Sequence, residues 1–423
     1  MIAAIAERRR VVVTGAGAVT PLGPDLATTW ERLLAGDSGI RAISAFDPSR
    51  VPARIAGEAR EADASRVLDR KAVRRTDRAT HLSLLATQEA LAQAGFPERL
   101  EGPLADATGA FIGTGFGGSG TIFDEIRTYV ERGPDRISPF FVPMSIANMT
   151  PGHVGIAFGA RGPNMAPVSA CASGGNAIGE AAETIRRGDA EVMLAGGTEA
   201  PVVEGIVAAF AAMHALSTRN DDPSRASRPF DTGRDGFVLA EGAGTLVLES
   251  LEHATQRGAR ILAEVEGYGA SADAYHVTLP PPGADGAVRA ARRALEKAGR
   301  SPADVDLVSA HATSTPEGDR AELRGLHGLL GEEAPRVAVT ATKGALGHTL
   351  GAAGAIAAAV TIRALETGRF PPILNLDEPD PESGSLDLVR GEARHGTYRL
   401  ALVNAFGFGG QNSVLLFSKW GEA

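Results

Sequence analysis

Cysteine is almost absent from this chain: a single thiol, Cys171, stands among 423 residues. No internal disulfide can form, which excludes a disulfide framework and points to a reducing, cytoplasmic setting. Aromatic residues are only 5% of the total, so the core must be built from Ala, Val and Leu with backbones in close approach, a demand that 52 glycines suit. No apolar run is long enough for a membrane span, and Met1 to Arg10 places charges straight after a short apolar start, so neither a span nor a signal peptide is expected. An excess of positive charge is missing too. The net charge of −9 argues against nonspecific nucleic-acid binding, while leaving room for a local basic patch that meets an acidic partner. The length exceeds one ordinary core and suggests two domains or two fused halves.

What is present centres on that thiol. Cys171 lies in Val168-Ser-Ala-Cys-Ala-Ser-Gly-Gly, between a predicted strand end and a helix whose apolar residues Ala177, Ile178, Ala181, Ala182 and Ile185 keep helical spacing up to Gly188. Unpaired N–H groups and the positive end of the dipole at such a helix start favour thiolate, the nucleophilic form. Lone cysteines are more often inert, buried small hydrophobes. Here the small residues before Cys171 and the Gly-Gly behind it allow a sharp turn and the approach of a substrate, which argues for a nucleophile.

Strand, glycine turn and helix recur along the chain. Arg10 to Val19 reads as a buried strand followed by a glycine turn, His81 to Gly95 as an amphipathic helix, Thr108 to Gly118 as a buried strand running into glycines, Glu191 to Glu199 as the next strand, and Gly236 to Glu249 as two adjacent strands. Residues 36–70 read as a loop-rich excursion. The grammar repeats with strands at Ala263–Ala270, Val305–Ala310, Val337–Thr340 and Leu400 onward, and helices at Gly286–Gly299 and Gly351–Thr367. Such alternation implies an α/β layered fold of two similar halves, 1–258 and 259–423. Gly15-x-Gly17 after the first strand invites a dinucleotide site. The third glycine and the acidic residue of that fingerprint are missing, so the reading is rejected.

Two histidines occupy glycine- or threonine-rich turns after second-half strands: His311 in Ser-Ala-His-Ala-Thr-Ser-Thr-Pro-Glu-Gly-Asp and His348 in Thr-Lys-Gly-Ala-Leu-Gly-His-Thr-Leu-Gly. Either alone would read as structural. Together with Cys171 they form a catalytic constellation. A metal site is the rival, disfavoured because the three residues are far apart in sequence, no short-spaced ligand pair exists and no carboxylate accompanies them. Lys71, Arg74 and Arg75 form a basic cluster that reads either as a solvated face or as a landing point for an anionic partner.

Val-Ser-Ala-Cys171-Ala-Ser-Gly, Gly-Gly-Thr-Glu-Ala, Ser-Arg-Pro-Phe-Asp, the His311 run, Lys343 with Gly-His348, and Asn404-Ala-Phe-Gly-Phe-Gly-Gly resemble the motifs of the β-ketoacyl-acyl carrier protein synthases. The likeness is to the elongating, synthase II type of the thiolase superfamily and runs from Arg10 to Phe417. It implies a thiolase-like five-layered fold of two duplicated βα halves and an acyltransferase that performs decarboxylative Claisen condensation of an acyl thioester on Cys171 with malonyl-acyl carrier protein. It also implies His311, His348 and Lys343 as further catalytic residues, an oxyanion hole from the N–H groups of Cys171 and Phe408, and substrate contacts at Phe116, Thr278, Thr313, Thr315 and Phe408. Lys71, Arg74 and Arg75 would dock the acidic carrier protein. No cofactor or metal of its own is implied, since the phosphopantetheine arm arrives on the carrier protein. The expected assembly is a homodimer, or a heterodimer with a homologous subunit. Fatty acid and type II polyketide elongation both remain open. A noncatalytic chain-length-factor-like subunit would lack the active cysteine, and a biosynthetic thiolase would need a second one. The chain departs from the family pattern at Ala312 for glycine, Ala405 for serine, Gln411 for threonine and Ala357 for glutamate, the last leaving Glu322 as a candidate partner for Lys343. Phe116 replaces a smaller aliphatic residue at the expected floor of the acyl pocket.

Overall fold

Glycine-rich strands let helices lie unusually close in this molecule, a computed structural model that describes residues 9–421. The reading of Met1 to Arg10 as free of a targeting segment falls almost wholly outside those residues. Strand β1 (Val11–Val19) carries helix α1 (Arg78–Ala94) on its Gly15 and Gly17: a Cβ on either would stand 2.0 Å or 2.2 Å from the carbonyl oxygens of Ala90 and Ala86. The Gly-x-Gly pair therefore serves packing, not a nucleotide. The same device returns in the second half. Gly267 and Gly269 of β6 (Ala263–Ala272) admit helix α3 (Asp285–Ala298), with carbonyls of Ala294 and Ala290 at 2.1 Å and 1.9 Å from the corresponding Cβ positions.

Between them run β2 (Thr108–Gly113), β3 (Asn164–Met165), β4 (Val192–Glu199) and β5 (Gly242–Ser250); after β6 come β7 (Leu307–Ser309), β8 (Ala338–Thr340), β9 (Asp387–Leu388), β10 (Leu400–Gly407) and β11 (Gln411–Lys419). The strand order is β9-β8-β7-β10-β11-β6-β1-β5-β4-β2-β3. Pairing is duplicated. The sequence antiparallel, antiparallel, parallel, parallel describes β1-β5-β4-β2-β3 and equally β6-β11-β10-β7-β8. Among the described residues the two sets of strands pair with each other at the short β1–β6 contact, Val12 with Glu264 and Val13 with Ala263.

Helices complete five layers. Helix α1 covers β1 and β5 on one outside face; α2 (Ser173–Arg187) and α5 (Ala353–Thr367) touch each other and fill the middle, α2 against β4 and β2, α5 against β5 and β10; α3 covers β6 and β11 on the far side, with α4 (Pro316–Leu330) beside it. The middle helices are built of small residues, and Ala177, Ala181, Ala355, Ala358 and Ala359 are fully buried. Leu350–Thr367 is long and apolar enough to cross a membrane, yet 83% of it is buried inside the fold as a core helix.

Two local readings change. Gly236 to Glu249 holds one strand, not two: residues 236–241 pair with other loops, Phe237 N with Ala215 O, Leu239 with His348 and Ala240 with Gly57. Helices Ser119–Arg132 and Glu204–Ala212 were not anticipated, and neither carries a side-chain N-cap that would have marked its start.

Candidate active site

Loops after strands of both halves converge where the middle helices begin. Cys171 directly precedes the first turn of α2, His311 follows β7, His348 lies between β8 and α5, and Phe408 follows β10. All four, with Phe116, Thr278, Thr313 and Thr315, line one cavity of about 630 Å³. Its walls are mainly apolar, including Phe210, Phe237, Leu350 and Phe406. Lys343 sits behind the wall, and Lys71, Arg74 and Arg75 lie outside on and after the short helix Arg70–Val73, exposed and in no ion pair with a described residue.

His348 Nε2 is 3.0 Å from Cys171 Sγ. The two imidazoles meet edge to face with centroids 5.3 Å apart, and Phe237 packs edge-on against His348 at 5.3 Å. The backbone N–H groups of Cys171 and Phe408 favour negative charge on the sulfur and so pull the thiol pKa down. Backbone strain collects here: Ala170 (φ +50°), Ala312 (φ +33°), Ser314 (φ +71°) and Leu350 (φ +45°) hold left-handed conformations without being glycine. Ala312 thus holds a left-handed conformation at a position where the family pattern has glycine.

Charge is arranged around this cluster. Lys343 Nζ donates to the His311 carbonyl, and burial brings its ammonium down to about 8 against the pull of Glu322. Glu322 makes no direct ion pair with Lys343. Its carboxylate accepts from His311 N at 2.8 Å, Ala312 N at 2.6 Å and Asn404 Nδ2 at 3.0 Å, fixing the histidine turn. Burial and then the Lys343 cation hold both histidines well below their usual range, so they are neutral imidazoles. Burial pushes the Cys171 thiol up to about 12, outweighing Lys343. The thiolate expected from the helix start alone is not the resting form. Its proton must leave as bonds change, and the neutral His348 is in place to accept it. Among the described residues no group of three or more His, Cys, Asp or Glu side chains is placed to hold a metal ion.

Glu199, in the Gly-Gly-Thr-Glu-Ala run, is buried beside the Phe116 and His348 turns. Asn404 had no assigned contact, and only the folded position of Glu322 reveals one. Ala405, in place of serine, packs its methyl 3.1 Å from the Cβ direction of Gly354, and Ala357 is buried in α5.

Residues 8–254 match the family model of the β-ketoacyl synthase N-terminal domain, and residues 262–377 that of the β-ketoacyl synthase C-terminal domain. The chain belongs to the β-ketoacyl synthase family. It is 46% identical over 414 residues to the 3-oxoacyl-[acyl-carrier-protein] synthase 2 of Synechocystis sp., covering 98% of this chain and 99% of that one. Among solved structures it resembles the ishigamide ketosynthase/chain length factor, with TM-score 0.90 and 34% identity over 98% of this chain and 100% of that one. It also resembles AntDE:AntF, a type II PKS acyl-carrier protein in complex with its ketosynthase bound to the hexaketide, with TM-score 0.88 and 31% identity over the same shares. This β-ketoacyl synthase has the thiolase-like fold and is an acyltransferase. Its reaction is decarboxylative condensation in fatty acid or type II polyketide elongation.

Phe116 is one of the aromatic residues of the cavity. Its ring lines the wall, half exposed, edge-on to Phe210 with centroids 6.1 Å apart. A phenyl ring there fills the volume of several methylenes, and forcing a chain past a packed group costs about 1–3 kcal/mol, or roughly tenfold to a hundredfold in selectivity. The wild-type enzyme is expected to acylate Cys171 faster from short or unusually shaped primers than from long saturated ones, and Phe116→Ala to erase that preference. A chain-length series of acyl-carrier substrates measures it. Equal wild-type rates along the series would remove Phe116 as a floor.

Proposed function

We propose that Cys171 is the acyl carrier of a two-stage, ping-pong reaction. Its thiol proton passes to His348 Nε2 as sulfur attacks the acyl thioester, and the carrier thiolate leaves with a proton from solvent, giving acyl-Cys171 with the thiol proton kept on His348. Malonyl-acyl carrier protein then enters. Its carboxylate leaves as CO₂, the enolate oxygen is held by N–H donors from His311 and His348, and the enolate carbon attacks the acyl-Cys171 carbonyl, whose oxyanion meets the amides of Cys171 and Phe408. The Cys171 thiolate departs and takes back a proton. The 3.0 Å approach of His348 Nε2 to Cys171 Sγ is the observation that carries this reading. Lys343 orders the His311 turn through the carbonyl it binds and adds positive charge behind the imidazoles. Thr278, Thr313 and Thr315 contact the incoming phosphopantetheine arm, and the enzyme needs no metal or cofactor of its own. Location in the cytoplasm is in keeping with the free thiol.

The carrier protein docks on Lys71, Arg74 and Arg75. The three cations are exposed, and Arg75 is braced over the Phe140 ring at 4.4 Å. Rim charges of this kind steer encounter more than they hold the complex. Reversing all three to Glu is expected to raise KM for carrier-bound substrate much more than for a small acyl thioester. An equal rise for both would place the docking site elsewhere.

The active assembly is a homodimer formed at the open β3 edge. Asn164 and Met165 present an unpaired strand edge, and Ile126, Tyr129, Val130, Val142, Ile146 and Val168 are exposed apolar side chains. Sedimentation equilibrium should give twice the chain mass of 43.6 kDa. A monomer that turns over at full rate would refute it.

A further inference from the structure

Glu199 ends β4 with its side chain fully buried, and the condensation steps leave it without a task. Oε1 accepts from Thr114 Oγ1 at 2.8 Å and Phe116 N at 3.0 Å, while Oε2 accepts from Gly115 N at 2.7 Å and Gly351 N at 3.0 Å. All four partners donate. Such a set suits an ionised carboxylate, which only accepts, and these bonds oppose the upward pull of burial on its pKa. The surroundings are shaped to it. A Cβ on Gly351 would stand 2.6 Å from Oε2 and 2.7 Å from Gly115 N, so glycine alone lets the two turns meet on one carboxylate. One of those turns carries Phe116, on the wall of the acyl cavity. The other begins three residues earlier with His348, which touches the Cys171 sulfur, and passes through strained Leu350.

We propose that Glu199 is a positioning residue that ties the acyl-cavity wall at Phe116 to the His348 turn, so that chain selectivity and histidine geometry are set by one clamp. It touches no reacting atom and takes no proton. A shift of the turn by a fraction of an ångström moves the Phe116 ring against the acyl chain and Nε2 against sulfur together, and misplacements approaching 1 Å in such sites cost up to about a hundredfold in rate. The proposal rests on the acyl cavity and the His348 role given under Proposed function.

Glu199→Gln keeps the volume but turns an NH₂ toward two of the four donors, either Thr114 and Phe116 or Gly115 and Gly351, so half of the clamp is lost. Two quantities are read on the purified full chain, both normalised to the number of Cys171 sites that mass spectrometry finds able to take an acyl group. The first is the ratio of acylation rates for short and long acyl-carrier substrates; the second is kcat for malonyl-carrier decarboxylation. Both are expected to change, each by roughly tenfold to a hundredfold, with KM for malonyl carrier nearly unchanged. A purely architectural Glu199 would instead lower the melting temperature and the number of acylatable sites, leaving the ratio and the per-site kcat at wild-type values; that result overturns the proposal. Thr114→Val removes one donor and leaves the carboxylate in place, so it supplies the same two readouts if Glu199→Gln does not fold, with smaller changes in the same direction expected. A wild-type enzyme that takes no acyl group on Cys171 would refute the site assignment itself; a wild type that does, beside variants with unaltered ratios, would refute Glu199 alone.

Discussion

Cys171→Ala is expected to abolish acyl-enzyme formation altogether. Intact-mass spectrometry after incubation with an acyl-carrier substrate should show one added acyl group on the wild type and none on the variant. The chain has no second thiol to take over, and Cys171 Sγ is the atom that His348 Nε2 approaches at 3.0 Å. Burial raises the thiol to about 12, so only a minute fraction is thiolate at neutral pH. In the proposed reaction the nucleophile is made by proton transfer to His348 during attack. Losing the covalent stage also removes the acceptor for the malonyl-derived carbon, so condensation product should vanish with the adduct. The same adduct on Cys171→Ala would show that another group carries the chain. Folding should hardly respond. Only the sulfur is lost from a site that faces a cavity, which is far less than the deletion of a packed core side chain.

The residues proposed as catalytic could be picked out because each brings its chemistry in its own few neighbours: a thiol at a helix start, and imidazoles in turns after strands. Their mutual distance was not legible in spacing, since 177 residues separate His348 from Cys171. The local argument also misjudged the thiol. A helix N-terminus favours thiolate, but whether that preference survives depends on how completely the fold removes water, and Cys171 is buried. Gly15 and Gly17 show the opposite case, where a negative reading of a motif was sound and the true reason, helix α1 against the strand backbone, needed the packing. Glu199 was hidden for a topological reason. Its partners lie 85, 84, 83 and 152 residues away and three of the four are backbone amides, which leave no side-chain pattern to read. The layered α/β architecture was readable from alternation, whereas helices Ser119–Arg132 and Glu204–Ala212 lack the capping residues that announce a start.

His311→Ala and His348→Ala are each expected to slow malonyl-carrier decarboxylation by on the order of 10²–10³, the usual loss when one donor to a developing oxyanion is removed. The enolate is the charged species of the second stage, and both rings line the cavity beside the sulfur where it forms. The two variants should part company in the first stage. His348 alone contacts Sγ, so His348→Ala should also impair acyl transfer to Cys171, while His311→Ala should leave it nearer the wild-type rate. The pH profile gives a further check with a definite sign. Both imidazoles have folded pKa values well below 6.5, lowered by burial first and by Lys343 second, so they stay neutral as pH falls from neutrality through 6.5. The wild-type decarboxylation rate should be level across that interval and drop only at more acid pH, where a neutral ring gains a proton. Single-turnover acylation and steady-state CO₂ release, measured separately on the three proteins, decide the matter. Unimpaired CO₂ release in both variants, or a wild-type rate that falls with an apparent pKa at 6.5, would take the enolate away from these histidines.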